Sequence, residues 1–350
     1  AIRWAAAVPS GGTVVLSSLT ASTGNAVTAQ RIAAHLGAST LDLASFPDAA
    51  ALSRALAARR CALAFGIHAY RAGRLLVGCG VPFVLILGGT DVNEHLSHPA
   101  KRAVMAAALA EARAVVAFHP PLRLALEAAL PEVGRKVVEI PQAVLAAPPL
   151  SRRAELRAAL RLEAEETLLL LPAGLRPVKD VLWAAHALEE WHQRDPTVCV
   201  RLVGPRLDET YAAAVEDALA AQQRPRAVVY CGPLGQAELH EAMRLARAVL
   251  NTSVSEGMCN SILEAFLLET PVVARCNSGN ATLINHGVNG FLAGSPEELV
   301  ELTASLLADG ELAARLARSA KEHVDTHHSV AREAEMYAQV AEFALSRPKE

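Results

Sequence analysis

Two glutamates, Glu256 and Glu264, are separated by seven residues; the first lies in the small, polar turn Val254 to Cys259 and the second on the helical stretch that starts near Asn260. Carboxylates accept hydrogen bonds, so a pair reaching a ligand from different heights suits a polyhydroxylated molecule with hydroxyls on both sides of a phosphate group. Asn260 or Ser261 is suited to cap that helix, whose free N–H groups would then form an anion site fit for a diphosphate. Upstream, in LLLLPAGLRPVKD, Gly174, Arg176 and Lys179 follow an apolar run, where two cations would neutralise phosphate charge. The bland alternatives are two solvated glutamates and an ordinary basic helix start.

These residues need a scaffold, and the rest of the chain supplies its outline. Short apolar runs (VVLSSLT, STLDLAS, CALAFGIH, PFVLILGG, AVVAFH, KVVEIPQAV) alternate with helical stretches in the first half. Such strands, apolar on both faces and separated by helices, imply a parallel, doubly wound sheet. AAPPLSRR, with Pro148 and Pro149, suits a connection, after which the pattern restarts with TLLLLPAG, TVCVRLVGP, AVVYCG, AVLNTS and TPVVARC. The expected layout is a Rossmann-like domain over residues 1–147, a second over 148–329 and a final amphipathic helix within 330–350 that packs back across the linker. Two such domains would face a central cleft at the carboxyl ends of their strands.

Composition narrows the function further. The 350 residues are 52% hydrophobic but only 4% aromatic, which favours α/β packing over a β-sandwich. Lys plus Arg is 33 and Asp plus Glu 36, a formal charge of -3, so no electrostatic footprint for nucleic acid is present. No apolar run approaches the ~20 residues of a transmembrane helix. Six scattered cysteines without zinc-site spacing fit a reduced, cytoplasmic protein, and AIRWAAAVPSGG lacks a signal-peptide core. The chain starts without Met, which leaves open a targeting segment ahead of Ala1.

The stretch from Ala248 to Leu292 resembles the nucleotide-sugar-binding region of the retaining glycosyltransferases of family 4. The resemblance rests on the E-x7-E pair Glu256 and Glu264, the strand Pro271 to Ala274, the loop Asn277-Ser278-Gly279-Asn280 and H-G-V-N-G-F-L from His286 to Leu292. It implies the GT-B fold, an α/β arrangement of two Rossmann-like domains. It also implies that Glu256 contacts the donor sugar, Glu264 the nucleotide ribose, and Arg176 and Lys179 the diphosphate. Gly257, Met258, Cys259 and Asn260 would line the donor, with Gly232 and Leu234 bordering the nucleotide base.

In the N-terminal half the resemblance brings Gly24 and Asn25 near the donor phosphates, and places GIHAYRAG with His68 and GGTDVNE with Asp91 and Asn93 on the acceptor side. His68 is then catalytic or donor-contacting, or else a structural histidine; Asp91 has the alternative of a helix cap, and Gly24 that of a turn residue. The expected activity is metal-independent transfer of a sugar from a nucleotide diphosphate sugar, a co-substrate rather than a cofactor, to an acceptor the sequence does not identify. No D-x-D pair is present. A nucleotide-sugar epimerase of the same fold and a non-enzymatic sugar-nucleotide-binding protein are the rivals. Gly78-Cys79-Gly80 precedes a strand, so it is not a dinucleotide fingerprint, and P-loop, α/β-hydrolase and zincin motifs are missing.

Overall fold

A computed structural model of the chain describes residues 12–20, 23–222 and 226–346. Two compact units emerge: the described residues up to Ala143 together with those from Val330 onward, and Val144–Ser329. Each is built on one six-stranded sheet whose pairings are all parallel.

In the first unit β1 (Gly12–Ser17), β2 (Ser39–Asp42), β3 (Cys61–Ile67), β4 (Phe83–Ile86), β5 (Ala114–Ala117) and β6 (Val137–Glu139) are ordered β2-β1-β3-β4-β5-β6. The chain runs outward from β1 to β2 and then returns to the other side of β1. The switch point therefore lies between β1 and β3, where doubly wound sheets open a ligand crevice. The final helix, Val330–Ser346, belongs to this unit: Tyr337 is fully buried and meets Phe65 of β3 edge to face, with ring centroids 6.1 Å apart.

The second unit contains β7 (Thr167–Pro172), β8 (Val198–Val203), β9 (Val228–Tyr230), β10 (Ala248–Asn251), β11 (Val272–Arg275) and β12 (Phe291–Ala293), ordered β12-β11-β10-β7-β8-β9. Its switch point lies between β7 and β10. Successive residues of β7 point to opposite faces, and both faces are covered: Leu169 and Leu171 join one apolar cluster, Leu168 and Leu170 another. That is why the strand reads as an unbroken leucine run. β12 and the helices Arg153–Ala159, Pro296–Ala308 and Gly310–His327 go beyond the elements expected from sequence. A three-residue strand is too short to show a period. Among the described residues no helix is long and apolar enough to cross a membrane.

Candidate functional site

The loops that follow β7 and β10 meet because those strands are neighbours at the switch point. The first carries Arg176 and a short 3-10 turn, Pro177–Lys179; the second carries Glu256. Val254 N–H donates to the carbonyl of Val178 at 2.9 Å, and the Thr252 hydroxyl to the carbonyl of Lys179 at 2.9 Å, which pins the loops together. Lys179 Nζ then lies 2.6 Å from Glu256 Oε1. Their side chains are 17% and 9% exposed, so neither is an ordinary solvated charge. Burial pushes the Glu256 carboxyl up, but the Lys179 charge and hydrogen bonds from Lys179, Ser253 and Asn251 outweigh it and hold the group below the usual carboxylate range. Arg176 does not join this pair, and its buried Nε has no hydrogen-bond partner among the described residues.

A polar scaffold absent from the sequence expectation supports the pair. Ser253 Oγ donates to Glu256 Oε1 at 2.6 Å and Asn251 Nδ2 to the same oxygen at 3.3 Å. Asn251 Oδ1 in turn accepts from Asn280 Nδ2 at 2.9 Å, and Asn277 Nδ2 donates to the Ser253 carbonyl at 2.9 Å. The loop after β11 therefore supports the loop after β10. It packs so closely that a Cβ on Gly279 would fall 2.2 Å from the backbone oxygen of Glu256. Only glycine fits there. Nearby, Arg275 bonds Asp180 at 2.7 Å and covers the Trp183 ring at 4.6 Å. The polar residues at the end of AVLNTS were a readable signal, since an apolar strand gains nothing from Asn and Ser unless they face a site.

The helix Asn260–Leu267 follows the turn, with Gly257 and Cys259 buried and Met258 and Asn260 partly so. Its N-cap is Cys259 rather than Asn260 or Ser261, and no side chain caps it; Asn260 is already the first helical residue. Glu264 sits on this helix but is not joined to Glu256. It is 6% exposed and accepts from Gln236 Nε2 at 2.8 Å, with His240 Nε2 3.7 Å away. Gln236 and His240 share one face of the helix Gln236–Leu245 through their i, i+4 spacing. That helix is entered from β9 through Gly232, at φ 79°, and the buried Leu234, so the loop expected beside the base leads directly to the partners of Glu264. Sequence periodicity shows the shared face, not what it points at.

In the first unit His68 directly follows β3, beside the switch point, and is 3% exposed at φ 82°, a strained value for a residue with a side chain. Its Nδ1 accepts from Tyr70 N–H and Arg71 N–H, both at 3.3 Å, which places the neutral ring's proton on Nε2. His95 packs against it with ring centroids 5.1 Å apart. Burial, with the neighbouring His68 ring and the Lys101 charge, brings His95 down to about 4.

Asp91 is fully buried and accepts from Ala69 N–H at 2.7 Å, Gly88 N–H at 3.0 Å and Val92 N–H at 3.1 Å. It ties the loops after β3 and β4 together, and it is not the cap expected of it: Gly89, not Asp91, is the N-cap of the short helix Thr90–Asn93. Asn93 at the end of that helix is exposed. Gly24 and Asn25 are the first residues of the helix Gly24–Leu36, capped by Thr23, so Gly24 is a helical rather than a turn residue. Residues 21–22 of the preceding loop lie outside the described residues.

Residues 166–309, which carry both loops of the switch point, match the family described as glycosyl transferases group 1. Glycosyltransferase 1 domain-containing protein 1 of Xenopus tropicalis is 34% identical over 330 residues, 92% of this chain and 95% of that protein. Among solved structures, Anabaena HepE in complex with UDP-glucose superposes with a TM-score of 0.78 at 19% identity, covering 95% of this chain and 99% of that one. Sucrose-phosphate synthase from Thermosynechococcus elongatus superposes with a TM-score of 0.77 at 16% identity, covering 95% and 98%. The structural likeness identifies the two doubly wound sheets as the GT-B fold. With sequence identity sustained over nearly the full length of a relative, the chain belongs to the group 1 glycosyltransferases.

Proposed function

We propose that this glycosyltransferase takes its sugar from a uridine diphosphate sugar and passes it to an acceptor with retention of configuration and without a metal ion. The contact of Lys179 with Glu256 at the carboxyl ends of β7 and β10 carries the reading. Charge grows on the departing diphosphate as the bond from C1 of the sugar to the phosphate oxygen breaks. Arg176, Lys179 and the N–H groups that open the helix Asn260–Leu267 would stabilise that charge in the role a metal plays elsewhere. Glu256, kept ionised by Lys179, accepts from sugar hydroxyls and fixes the ring's orientation, and Glu264 accepts from the ribose.

Retention follows if the acceptor oxygen attacks C1 from the face the diphosphate leaves. The acceptor's proton passes to the leaving phosphate oxygen, so no side chain is needed as base. His68, at the carboxyl end of β3, carries its ring proton on Nε2 when neutral. The choice of uridine is supported by the binding of UDP-glucose by Anabaena HepE, which shares the fold. The test is transfer from UDP-glucose to a panel of sugar and polyol acceptors in EDTA, with the product's anomeric configuration read by NMR. A β-linked product from the α-linked donor would overturn retention, and tighter calorimetric binding of another nucleoside diphosphate would overturn uridine.

A further inference from the structure

We propose that Asn251 is a positioning residue for sugar transfer, whose amide holds the Glu256 carboxylate and the N-terminus of the helix Asn260–Leu267 at one fixed separation. The proposal rests on the sugar-contacting role given to Glu256 above. Asn251 closes β10 and is 4% exposed. A side-chain amide has two N–H donors and two acceptor lone pairs, and here all four are used. Oδ1 accepts from Ser253 N–H at 3.1 Å and from Asn280 Nδ2 at 2.9 Å. Nδ2 donates to Glu256 Oε1 and to Cys259 Sγ, both at 3.3 Å. The reversed amide would set its oxygen against the carboxylate and its N–H groups against two donors, so only one orientation fits.

The two ends of the amide meet different surroundings. The carbonyl end meets scaffold alone: a backbone N–H and Asn280, which is fully buried and also donates to the Arg275 carbonyl at 2.9 Å. The amino end meets the site. Cys259 is the N-cap of Asn260–Leu267, the helix assigned to the diphosphate. In a nucleotide sugar C1 is bonded directly to the outer phosphate. A carboxylate that orients the ring and a helix end that holds the phosphate must therefore keep one spacing, and Asn251 bridges them with a single side chain. The titratable groups facing it are Lys179 from the loop after β7, Glu256, and the Cys259 thiol. Burial and the Glu256 charge push that thiol up to about 11, so it stays protonated at neutral pH.

Asn251→Asp separates the two ends. It keeps the acceptor for Ser253 and Asn280 and turns the amino end into a carboxylate oxygen facing Glu256. The readout is the ratio of UDP-glucose to UDP affinity, measured by calorimetry on the full chain from neutral pH down to about 5. Taken within one variant, the ratio cancels general destabilisation; divided by the wild-type ratio at the same pH, it cancels the titration of UDP itself. At neutral pH it should fall roughly tenfold, as expected of a lost hydrogen bond to a charged group. On acidification it should recover, because adjacent carboxylates take up one shared proton above the usual range and that proton restores a donor in place of the amide N–H. Asn251→Ala removes both ends without adding charge. Its ratio should also fall, and should fall further on acidification, since Glu256 without the amide donor is protonated at a higher pH than in wild type. A merely structural role lowers affinity without giving opposite pH slopes at one position. Ratios unchanged from wild type, or parallel slopes, overturn the proposal; if one variant does not fold, the absence of the expected slope in the other does. Glu256→Gln distinguishes the cause. A wild-type ratio there means that the sugar-contacting reading has failed and takes the proposal with it, whereas a lowered ratio there beside wild-type ratios in both Asn251 variants leaves that reading standing and removes only Asn251.

Discussion

Lys179 Nζ and Glu256 Oε1, from residues 77 apart in sequence, form one ion pair at 2.6 Å across the switch point of the second sheet. Each group depends on the other. The carboxylate is kept ionised against the cost of burial by the ammonium, and the ammonium is held at the end of β7 by the carboxylate.

Lys179→Ala should therefore lower turnover more than donor affinity. Removing one preorganised contact to a developing charge typically costs a factor of about 100 to 1,000 in rate. Release of UDP from UDP-glucose measures this before an acceptor is known. Wild-type turnover with only a raised Michaelis constant would mean that Lys179 binds substrate and transition state equally.

The same substitution should move the acid limb of the rate profile. Glu256 titrates below the usual range because of Lys179, Ser253 and Asn251, so it stays ionised well into mild acid. Without Lys179, burial faces only the two neutral donors, the pKa rises, and activity should fail at a higher pH than in wild type. Residual activity of Lys179→Ala with an unmoved acid limb would show that another group sets it.

Much of the architecture was legible in the sequence because both faces of each sheet are buried, which writes strands such as Leu168 to Leu171 as apolar runs. The residues of the pair were legible too, since cations after a strand and a glutamate in a polar turn have few structural uses. Their contact was not. It depends on β10 lying beside β7, and strand order is set by packing that periodicity does not record. Asp91 misled for a similar reason: its type and place before Val92 suit a cap, while the structure turns its carboxylate onto the amides of two other loops.

Gly279→Ala should damage donor binding while leaving the sheet intact. The added Cβ would meet the Glu256 backbone oxygen at 2.2 Å and its Cβ at 2.8 Å, and backbone cannot yield as a flexible side chain would. Overpacking of this kind costs about 1 to 3 kcal/mol, here directed at the turn that carries Glu256. Calorimetric binding of UDP-glucose together with far-UV circular dichroism is the check; unchanged affinity in the folded variant would mean that the turn shifts without consequence.

Transfer should survive EDTA at wild-type rate, because Arg176 and Lys179 supply the positive charge assigned to the diphosphate. Dialysis against the chelator followed by assay with and without magnesium or manganese decides the matter. Strict dependence on either ion would show the phosphate site to be misassigned.

The final helix offers a separate test, in acid stability. Glu333 is buried, accepting from Arg31 Nε at 2.8 Å and Ala143 N–H at 3.0 Å, with His35 Nε2 at 2.7 Å; Tyr337 of the same helix lies in its field. Burial raises its pKa, but the His35 hydrogen bond, the Arg31 charge and the Arg31 and Ala143 hydrogen bonds together hold it below the usual value. A carboxyl depressed on folding contributes stability above its unfolded pKa of about 4.3 and loses it as pH falls through the folded value. Glu333→Gln keeps the shape, removes the charge and leaves Arg31 buried without its counter-ion. At neutral pH the first unit should lose about 3 to 5 kcal/mol, the usual result of breaking a buried pair from one side. As pH falls below the unfolded value of about 4.3 and then through the lower folded one, wild-type Glu333 becomes neutral as well, so the two proteins should converge. Melting temperatures of both, followed from neutral pH downward, provide the comparison. A gap that stays constant over that range would show that the stabilisation comes from packing of the side chain rather than from its charge.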